Sequence, residues 1–221
     1  TYDGTEKTVT AEVSNAVDGD NFNLAYTGNT GTAVNSYTAT VTSLGNDNYT
    51  LTGATGTTQA WSIGEASIAG ATVELSETEF TYTGQSQKPT VTVKLGDTPL
   101  TADDYDVTYS GESINAGNYT VTVTGKGNYS GEAESKTYTI EKATVTPSIS
   151  GTASKTYDGT TAATGLTITL EGVLSGDTVT ATASFAYDSA DAGESKAVTA
   201  SNITLSGEDA GNYTLSSDTA T

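Results

Sequence analysis

Apolar and polar residues alternate with a period of two in the middle of the chain. In 90–95, which reads Thr-Val-Thr-Val-Lys-Leu, every second side chain is apolar, and 105–109 repeats this pattern as Tyr-Asp-Val-Thr-Tyr. The alternation returns in 119–123 and in 137–140, where tyrosine, valine and isoleucine share one side. A period of two with one apolar face is typical of an antiparallel strand buried on one side. These four segments are therefore predicted to be β-strands.

Turn-forming residues separate the alternating segments, and no stretch shows a convincing helical period. Glycine, asparagine and aspartate lie between the segments, where tight turns require them. Six or seven short strands within about 75 residues are typical of a two-sheet antiparallel sandwich of immunoglobulin-like type. The predicted fold class is therefore all-β, built from small antiparallel β-sandwich modules. β-Grasp-like modules are the alternative.

Two landmarks recur along the chain about every 80 residues, a period that indicates repeated modules. The first landmark is a Tyr-x-Gly triplet, which begins at Tyr2, Tyr82 and Tyr157. The second is an Asn-Tyr pair, which begins at Asn48, Asn128 and Asn212. Shorter matches support the alignment: Trp61-Ser62-Ile63 resembles Tyr138-Thr139-Ile140, and Asn115-Ala116-Gly117 corresponds to Asp191-Ala192-Gly193.

The landmarks divide the chain into three predicted modules. Repeat one covers 1–65, repeat two covers 66–142 and repeat three covers 143–221. Repeat one is expected to lack a leading strand, and repeat three is expected to lack its closing strand. Because the junctions contain no Gly/Ser-rich linker, the three modules are predicted to form an extended rod with stability summed over modules and their neighbours.

The charge and the apolar runs of the chain argue against nucleic-acid binding and membrane insertion. Its formal net charge is -19, from 27 acidic residues against 8 basic ones. A surface this anionic repels phosphate groups, so nucleic-acid binding is not expected. No apolar run is long enough to span a bilayer, so we expect no direct membrane insertion.

The residue types also disfavour catalysis. The chain contains neither histidine nor cysteine, so it has no imidazole base, no thiolate nucleophile and no thiolate metal site. No Gly-x-Ser-x-Gly motif is present. A paired-carboxylate hydrolase remains a formal alternative, but short repeated modules rarely form the deep cleft that it needs. The prediction is no enzyme activity, with no catalytic residues, no cofactor-binding residues, no metal-ligating residues and no cofactor.

A few side chains have a functional alternative beside a structural interpretation. The landmark tyrosines are interpreted as core or turn residues whose hydroxyl groups bind neighbouring backbone groups, and not as exposed ligand platforms. Trp61 is interpreted as a packed strand residue, with sugar stacking as the alternative. Acidic turns could bind calcium, although no complete calcium loop is present. These turns contain Asp18, Asp20, Asp103, Asp104, Asp188 and Asp191.

The motifs resemble known bacterial repeat families. The segments Lys155–Thr161, Leu174–Asp177 and Ala210–Tyr213 are similar to the YDG repeat of large bacterial surface proteins. Repeat one has the same Tyr-Asp-Gly-Thr opening. Repeat two resembles the related MBG and bacterial Ig-like repeats through Phe80–Gly84, Asp104–Val107 and Asn115–Tyr119.

This resemblance implies an exported, multi-repeat, adhesin-like protein on the bacterial cell surface, without shared catalytic residues. The expected function is therefore that of a structural spacer, with neighbouring repeats of the same parent chain as partners. The alternative is a binding module for a host glycan or an extracellular protein, which predicts an exposed aromatic or apolar patch on one repeat.

Overall fold

The computed structural model describes residues Thr1–Thr221, and nearly all of its regular structure is β-strand. A single turn of 3-10 helix, Ala210–Asn212, precedes the last strand. No helix of the chain has the length and apolar character required to cross a bilayer.

Repeat one contains β1 Lys7–Thr8, β2 Ala25–Thr27, β3 Thr30–Gly31, β4 Asn35–Ser43 and β5 Thr58–Ile63. Repeat two contains β6 Ala66–Ser67, β7 Thr72–Leu75, β8 Glu79–Thr81, β9 Val91–Leu95, β10 Thr98–Pro99, β11 Tyr105–Tyr109, β12 Gly117–Gly125, β13 Tyr129–Ser130 and β14 Lys136–Glu141. Repeat three contains β15 Ala143–Gly151, β16 Leu166–Glu171, β17 Thr180–Tyr187, β18 Val198–Ser206 and β19 Tyr213–Leu215.

The strands form seven small sheets, most of them antiparallel. Repeat one contributes sheets of order β1-β3 and β2-β4-β5. Repeat two contributes β10-β9-β7, β11-β12-β14-β8 and the two-stranded β13-β6. Repeat three contributes β16-β15-β19 and β17-β18. Three pairings are parallel: β6 with β13, β8 with β14, and β15 with β19. The predicted all-β, sandwich-like fold with antiparallel sheets is confirmed.

Contacts group the chain into two compact units. Unit one consists of Thr1–Glu74, Val91–Thr108 and Thr122–Ser135, and unit two consists of Leu75–Thr90, Tyr109–Val121 and Lys136–Thr221. Strands β7, β11 and β12 contribute residues to both units.

The core of unit one is made mainly by repeat two. Ile68, Val73, Val93 and Val123 are almost completely buried there, each on the inward side of an alternating strand or at its end. Repeat one adds only Ile63 and Ala39 to the buried apolar residues. Burial of one large aliphatic side chain stabilises a folded protein by roughly 1.5–3 kcal/mol. Because repeat one buries so few such side chains, it gains little of this stabilisation from its own core.

The core of unit two contains a cluster of aromatic rings beside aliphatic side chains such as Ile140 and Val145. The ring of Tyr138 is contacted by Tyr119 in a stacked arrangement at 5.5 Å between ring centroids. Phe80 and Tyr109 meet the same ring edge-on at 5.8 and 6.3 Å. The Tyr138 hydroxyl donates to the buried Ser113 Oγ at 2.5 Å, so the polar end of the ring is also satisfied.

The same strand register appears in repeats one and two. Strand β4 pairs with β5 so that Tyr37 faces Trp61, and β12 pairs with β14 so that Tyr119 faces Tyr138. Both ring pairs are stacked, Tyr37 and Trp61 at 4.6 Å. The tyrosine hydroxyl donates to the carbonyl four residues earlier in each case, Ala33 O at 2.8 Å and Asn115 O at 2.7 Å. The positions matched by sequence are therefore structurally equivalent.

Candidate functional site

Two of the three Tyr-x-Gly triplets, Tyr2–Gly4 and Tyr157–Gly159, form tight turns stabilised by an aspartate. The Asp3 carboxylate accepts hydrogen bonds from the backbone N–H and the hydroxyl of Thr5, and Asp158 accepts the same pair from Thr160. The glycine between them has a positive φ, 78° at Gly4 and 75° at Gly159, a conformation that glycine adopts without steric cost. Local sequence is therefore sufficient to form this turn.

A lysine completes each of these turns. Lys7 Nζ bonds the Asp3 carboxylate, and Lys155 Nζ lies 2.8 Å from Asp158 Oδ1. The hydrogen bond from Lys155 is the main reason that the pKa of Asp158 falls to about 2, with the bonds from Thr160 adding to it. The pKa of Asp3 is lowered in the same way, mainly by Lys7.

Two of the three landmark tyrosines are attached to the closing strand of their own repeat. Tyr2 N donates to Gly64 O at 2.8 Å, and Tyr82 N donates to Glu141 O at 2.8 Å. Gly64 and Glu141 directly follow the matched residues Ile63 and Ile140. The backbone bond therefore places both tyrosine rings at the junction with the next repeat.

In unit one, the Asn-Tyr pair of repeat two contacts repeat one. Asn128 Oδ1 accepts a hydrogen bond from Val34 N at 3.0 Å. The ring of Tyr129 meets the ring of Tyr2 edge-on, with 5.4 Å between centroids. Residue Tyr129 also pairs in parallel with Ala66, the first residue of β6. One turn of repeat two thus binds the backbone and a tyrosine ring of repeat one, and it also pairs with β6, the first strand of its own repeat.

In unit two, the Asn-Tyr pair of repeat three makes the same contact with repeat two. Asn212 Oδ1 accepts from Ala116 N at 2.9 Å, and Asn212 Nδ2 donates to Asn115 Oδ1 at 3.2 Å. The rings of Tyr213 and Tyr82 meet edge-on at 5.5 Å. Tyr213 pairs in parallel with Ala143 of β15, as Tyr129 does with Ala66. We call this arrangement, seen once in each unit, the Asn-Tyr contact.

The contact in unit two includes a carboxylate that receives two phenol groups. Tyr82 and Tyr213 both donate to Asp177 Oδ2, at 2.9 and 2.6 Å. Tyr213 Oη also accepts from Leu174 N at 3.0 Å. Because burial and the adjacent carboxylate disfavour the phenolate, the pKa of Tyr82 rises to about 12 and the pKa of Tyr213 is also raised.

Repeat one has the same phenol–carboxylate arrangement on its own Asn-Tyr pair. Tyr49 Oη accepts from Val17 N at 2.9 Å and donates to Asp20 Oδ2 at 2.6 Å. The hydrogen bond to Asp20 raises the pKa of Tyr49. Asn48 is exposed, and its side chain has no partner of the kind found by Asn128 and Asn212.

The last part of the chain matches a known protein family. Residues 140–221 match the YDG domain. This YDG-type segment contains the Tyr157 triplet, Asp177 and the Asn212–Tyr213 pair. No curated protein and no solved structure matches the chain.

The acidic turns proposed as calcium sites use their carboxylates within the protein. Asp20 accepts from Tyr49, and Asp104 accepts from the backbone and the hydroxyl of Thr101. Asp188 forms an ion pair with Lys196 at 3.2 Å, which lowers the pKa of Asp188. No group of three or more carboxylates is arranged to hold a metal ion.

The aromatic side chains pack within the protein, as the structural interpretation expects, in all but one case. Among the landmark tyrosines, however, only the hydroxyls of Tyr49 and Tyr213 bond a backbone group. Trp61 stacks on Tyr37 and its Nε1 donates to Gly28 O at 3.0 Å. Tyr82 and Tyr213 are buried, with 5% and 2% of their surface exposed. The expectation is wrong for Tyr157, which is 67% exposed. The turn at Tyr157 matches the turn at Tyr2. Tyr2 and Tyr82 each contact another aromatic ring, whereas Tyr157 contacts none.

Sequence reasoning missed the role of the asparagine in the Asn-Tyr pair. The residue was expected to form a turn before a strand, and Asn128 and Asn212 do directly precede β13 and β19. Their side chains, however, bind the preceding repeat. A turn alone accepts glycine or aspartate as well as asparagine. The presence of asparagine in all three repeats was therefore a signal that its side chain has a further role.

Proposed function

We propose that these repeats are a non-catalytic structural spacer in a bacterial cell-surface, adhesin-like protein, located outside the cell. The observation that carries this proposal is that the Asn-Tyr contact occurs twice with the same geometry, once between repeats one and two and once between repeats two and three. A spacer needs successive modules to be held in a fixed arrangement, and this contact is a device for doing so.

The junctions themselves support this proposal. Only Lys142 separates β14 from β15, and only Gly64 and Glu65 separate β5 from β6. A junction of one or two residues leaves little freedom for a hinge, unlike a flexible Gly/Ser linker. The Asn-Tyr contact adds hydrogen bonds and a ring pair beside each junction, which further restricts rotation.

The surface chemistry is consistent with a role outside catalysis. The carboxylates with the most strongly lowered pKa values belong to turns, where lysine and threonine donors hold them. Among the phenols with raised pKa values, Tyr82 and Tyr213 lie at a repeat junction and Tyr109 lies in the core of unit two, whereas Tyr49 is held by Asp20 within repeat one. The groups with perturbed pKa values therefore act in stabilising the fold.

The proposal is tested by measuring rigidity at one junction. The chain has no cysteine, so Thr137→Cys and Thr167→Cys introduce two specific spin-label sites at exposed strand positions of repeats two and three within unit two. Pulsed electron paramagnetic resonance should give one narrow distance distribution. Asn212→Ala should broaden it, and Asn48→Ala, which removes an exposed side chain without such a partner, should not.

Binding of an external ligand is the competing function. The chain should give flat signals on arrays of host glycans and extracellular matrix proteins. A broad distance distribution in the unmodified junction would contradict the spacer proposal. Saturable binding that maps to one repeat would replace it by the binding-module alternative.

A further inference from the structure

The chain contains three Asp-Gly dipeptides, which begin at Asp3, Asp18 and Asp158. In such a dipeptide the amide nitrogen of the glycine can attack the carboxyl carbon of the aspartate, because glycine has no Cβ to obstruct the approach. The glycines themselves do not distinguish the three sites. All three have a positive φ, between 75° and 92°, and a Cβ at any of them would meet no atom within 4 Å. Any difference in reactivity must therefore come from the carboxyl groups.

The carboxylates of Asp3 and Asp158 are each held by three donors. Each accepts from the backbone N–H and the hydroxyl of the threonine two residues later, and each binds a lysine Nζ. These bonds must break before the carboxyl carbon can reach the glycine nitrogen.

The same donors keep these two carboxyls charged. The hydrogen bond from the lysine and then those from the threonine lower the pKa of both groups, to about 2 at Asp158. Loss of a carboxyl oxygen as water requires the protonated acid. At about pH 5, a fall in pKa from 3.8 to about 2 makes the protonated form of Asp158 roughly 60-fold rarer.

Asp18 has the same dipeptide without these donors. Asp18 and Gly19 are exposed, and the Asp18 carboxylate has no hydrogen bond or ion pair within the protein. The residue two positions later is Asp20 in place of threonine, and its own carboxylate accepts from Tyr49. The Asp18 carboxyl is therefore free to rotate toward the Gly19 nitrogen.

A turn of the same kind stays exposed where another repeat contacts it. The turn 17–20 corresponds to 174–177 of repeat three, and both are closed by a backbone bond from the fourth residue to the first, of 3.1 and 3.2 Å. The turn 174–177 is contacted by repeat two, since its last residue accepts from Tyr82. Ser175, which corresponds to Asp18, is nevertheless exposed. A repeat bound at this loop thus leaves the second position of the turn open to water.

We propose that Asp18 is a site of spontaneous isoaspartate formation, whereas Asp3 and Asp158 are protected by their turns. The Gly19 nitrogen attacks the Asp18 carboxyl carbon, so that a C–N bond replaces a C–O bond and the hydroxyl leaves as water with the amide proton. Water then adds to the main-chain carbonyl carbon of the resulting succinimide and breaks its bond to nitrogen. The chain is now linked through the Asp18 side chain, and because one water is released and one is taken up, no other reactant is needed.

The modification acts on the contact of Tyr49. Linkage through the Asp18 side chain adds one carbon atom to the main chain between the two residues that hold this hydroxyl, Val17 N at 2.9 Å and Asp20 Oδ2 at 2.6 Å. Tyr49 then cannot keep both bonds in their present geometry. The inference goes beyond the spacer proposal and does not depend on it.

Peptide mapping of the full chain after prolonged incubation tests the proposal. The incubation is done at about pH 5, where a carboxyl of ordinary pKa, about 3.9, is still partly protonated. Asp-N protease cleaves before aspartate and not before isoaspartate, so lost cleavage measures the product at each dipeptide. Asp18 should convert at least about tenfold faster than Asp3 or Asp158, since protonated carboxyls are rarer at the latter two. Asp18→Ser, which introduces the residue found in repeat three, should abolish the product in this loop.

Two controls separate the effect of the fold from that of local sequence. In concentrated urea the donors of the turns are lost, so the three dipeptides should convert at similar rates. In the folded chain, Lys155→Ala should speed conversion at Asp158 and leave the rate at Asp18 unchanged. Equal rates in the folded chain, a preference for Asp18 that persists in urea, or an Asp158 rate that does not respond to Lys155→Ala would each overturn the inference.

Hydrogen exchange measures the effect on Tyr49. The Val17 N–H donates to Tyr49 Oη, so its exchange should be faster in the isoaspartate form than in the unmodified chain. Exchange at Val17 that is the same in both forms would overturn the predicted loss of the Tyr49 contact. The spin-label distances across the repeat two–repeat three junction test the spacer proposal separately.

Discussion

Tyr82 and Tyr213 share one carboxylate although they belong to different repeats. Their hydroxyl groups both donate to Asp177 Oδ2, at 2.9 and 2.6 Å, and their rings meet edge-on. The three side chains connect the Tyr-x-Gly landmark of one repeat to the Asn-Tyr landmark of the next. The two repeated landmarks therefore form the junction between repeats two and three, and each side chain of this junction can be tested by substitution.

The side-chain amide of Asn212 should stabilise the folded state more than the amide of Asn48, the equivalent residue of repeat one. Asn212→Ala removes the acceptor for Ala116 N and the donor to Asn115 Oδ1 in a buried position. An unpaired buried N–H costs about 1–3 kcal/mol, so the free energy of unfolding should fall by about that amount. Urea unfolding, monitored by the hydrogen exchange of backbone amides in unit two, measures this loss of unfolding free energy.

Asn48→Ala is the matched control for this substitution. Asn48 occupies the same landmark position but is exposed, so its loss should change the free energy of unfolding by less than about 0.5 kcal/mol. Equal losses for the two variants would show that the asparagine acts only within its own turn.

The hydroxyl of Tyr213 should matter separately from its ring. Tyr213→Phe keeps the ring contact with Tyr82 but removes the donor to Asp177 and the acceptor for Leu174 N. We expect unit two to lose about 1–3 kcal/mol of unfolding free energy. Tyr49→Phe removes the equivalent hydroxyl of repeat one and should cost less, because water can replace its partners at this more exposed site. Thermal unfolding of both variants provides the comparison, and a larger loss for Tyr49→Phe would contradict it.

Alkaline pH should destabilise the chain through Tyr82. Its pKa is raised to about 12 by burial and by the hydrogen bond to Asp177, whereas an unfolded tyrosine titrates near about 10. The unfolded state therefore loses its proton first, and the stabilising contribution, complete below about pH 10, is lost as the pH rises to about 12. Urea unfolding across this range should show a declining free energy of unfolding. Tyr82→Phe should make the decline shallower, and an unchanged slope would show that other groups cause it.

Acid should release the turn that carries Tyr157. Lys155 and Thr160 lower the pKa of Asp158 from 3.8 to about 2. The stabilisation from this carboxylate is therefore present above pH 3.8 and is lost as the pH falls through about 2. An NMR titration of the Asp158 carboxyl carbon measures the pKa directly. Lys155→Ala should return it toward 3.8, and a titration that does not respond to this substitution would contradict the lysine's role.

The strands of repeat two could be predicted because their signal is local. The alternating segments 90–95, 105–109 and 137–140 correspond to β9 Val91–Leu95, β11 Tyr105–Tyr109 and β14 Lys136–Glu141. Alternation reports which side of a strand is buried, and that depends on neighbouring residues alone. The equivalence of Tyr37 with Tyr119 could likewise be read from the similar segments 35–42 and 117–124, because the same local sequence enters the same register.

The partners of the landmark side chains could not be predicted in this way. Tyr82 lies 95 residues from Asp177, and Asn212 lies 96 residues from Ala116. The parallel pairs of β6 with β13 and of β15 with β19 also join strands far apart in the chain. Nothing in the Tyr-Asp-Gly-Thr turn, which Tyr2 and Tyr157 share, distinguishes the half-buried Tyr2 from the exposed Tyr157.

The sequence by itself determined the strand pattern of repeat two and the turns of the Tyr-Asp-Gly triplets, since each depends on residues within a few positions of one another. The tertiary structure alone decided which landmark is buried and which remains exposed. The physical reason is that burial of a tyrosine ring and pairing of an asparagine amide require a second surface, and that surface belongs to another repeat.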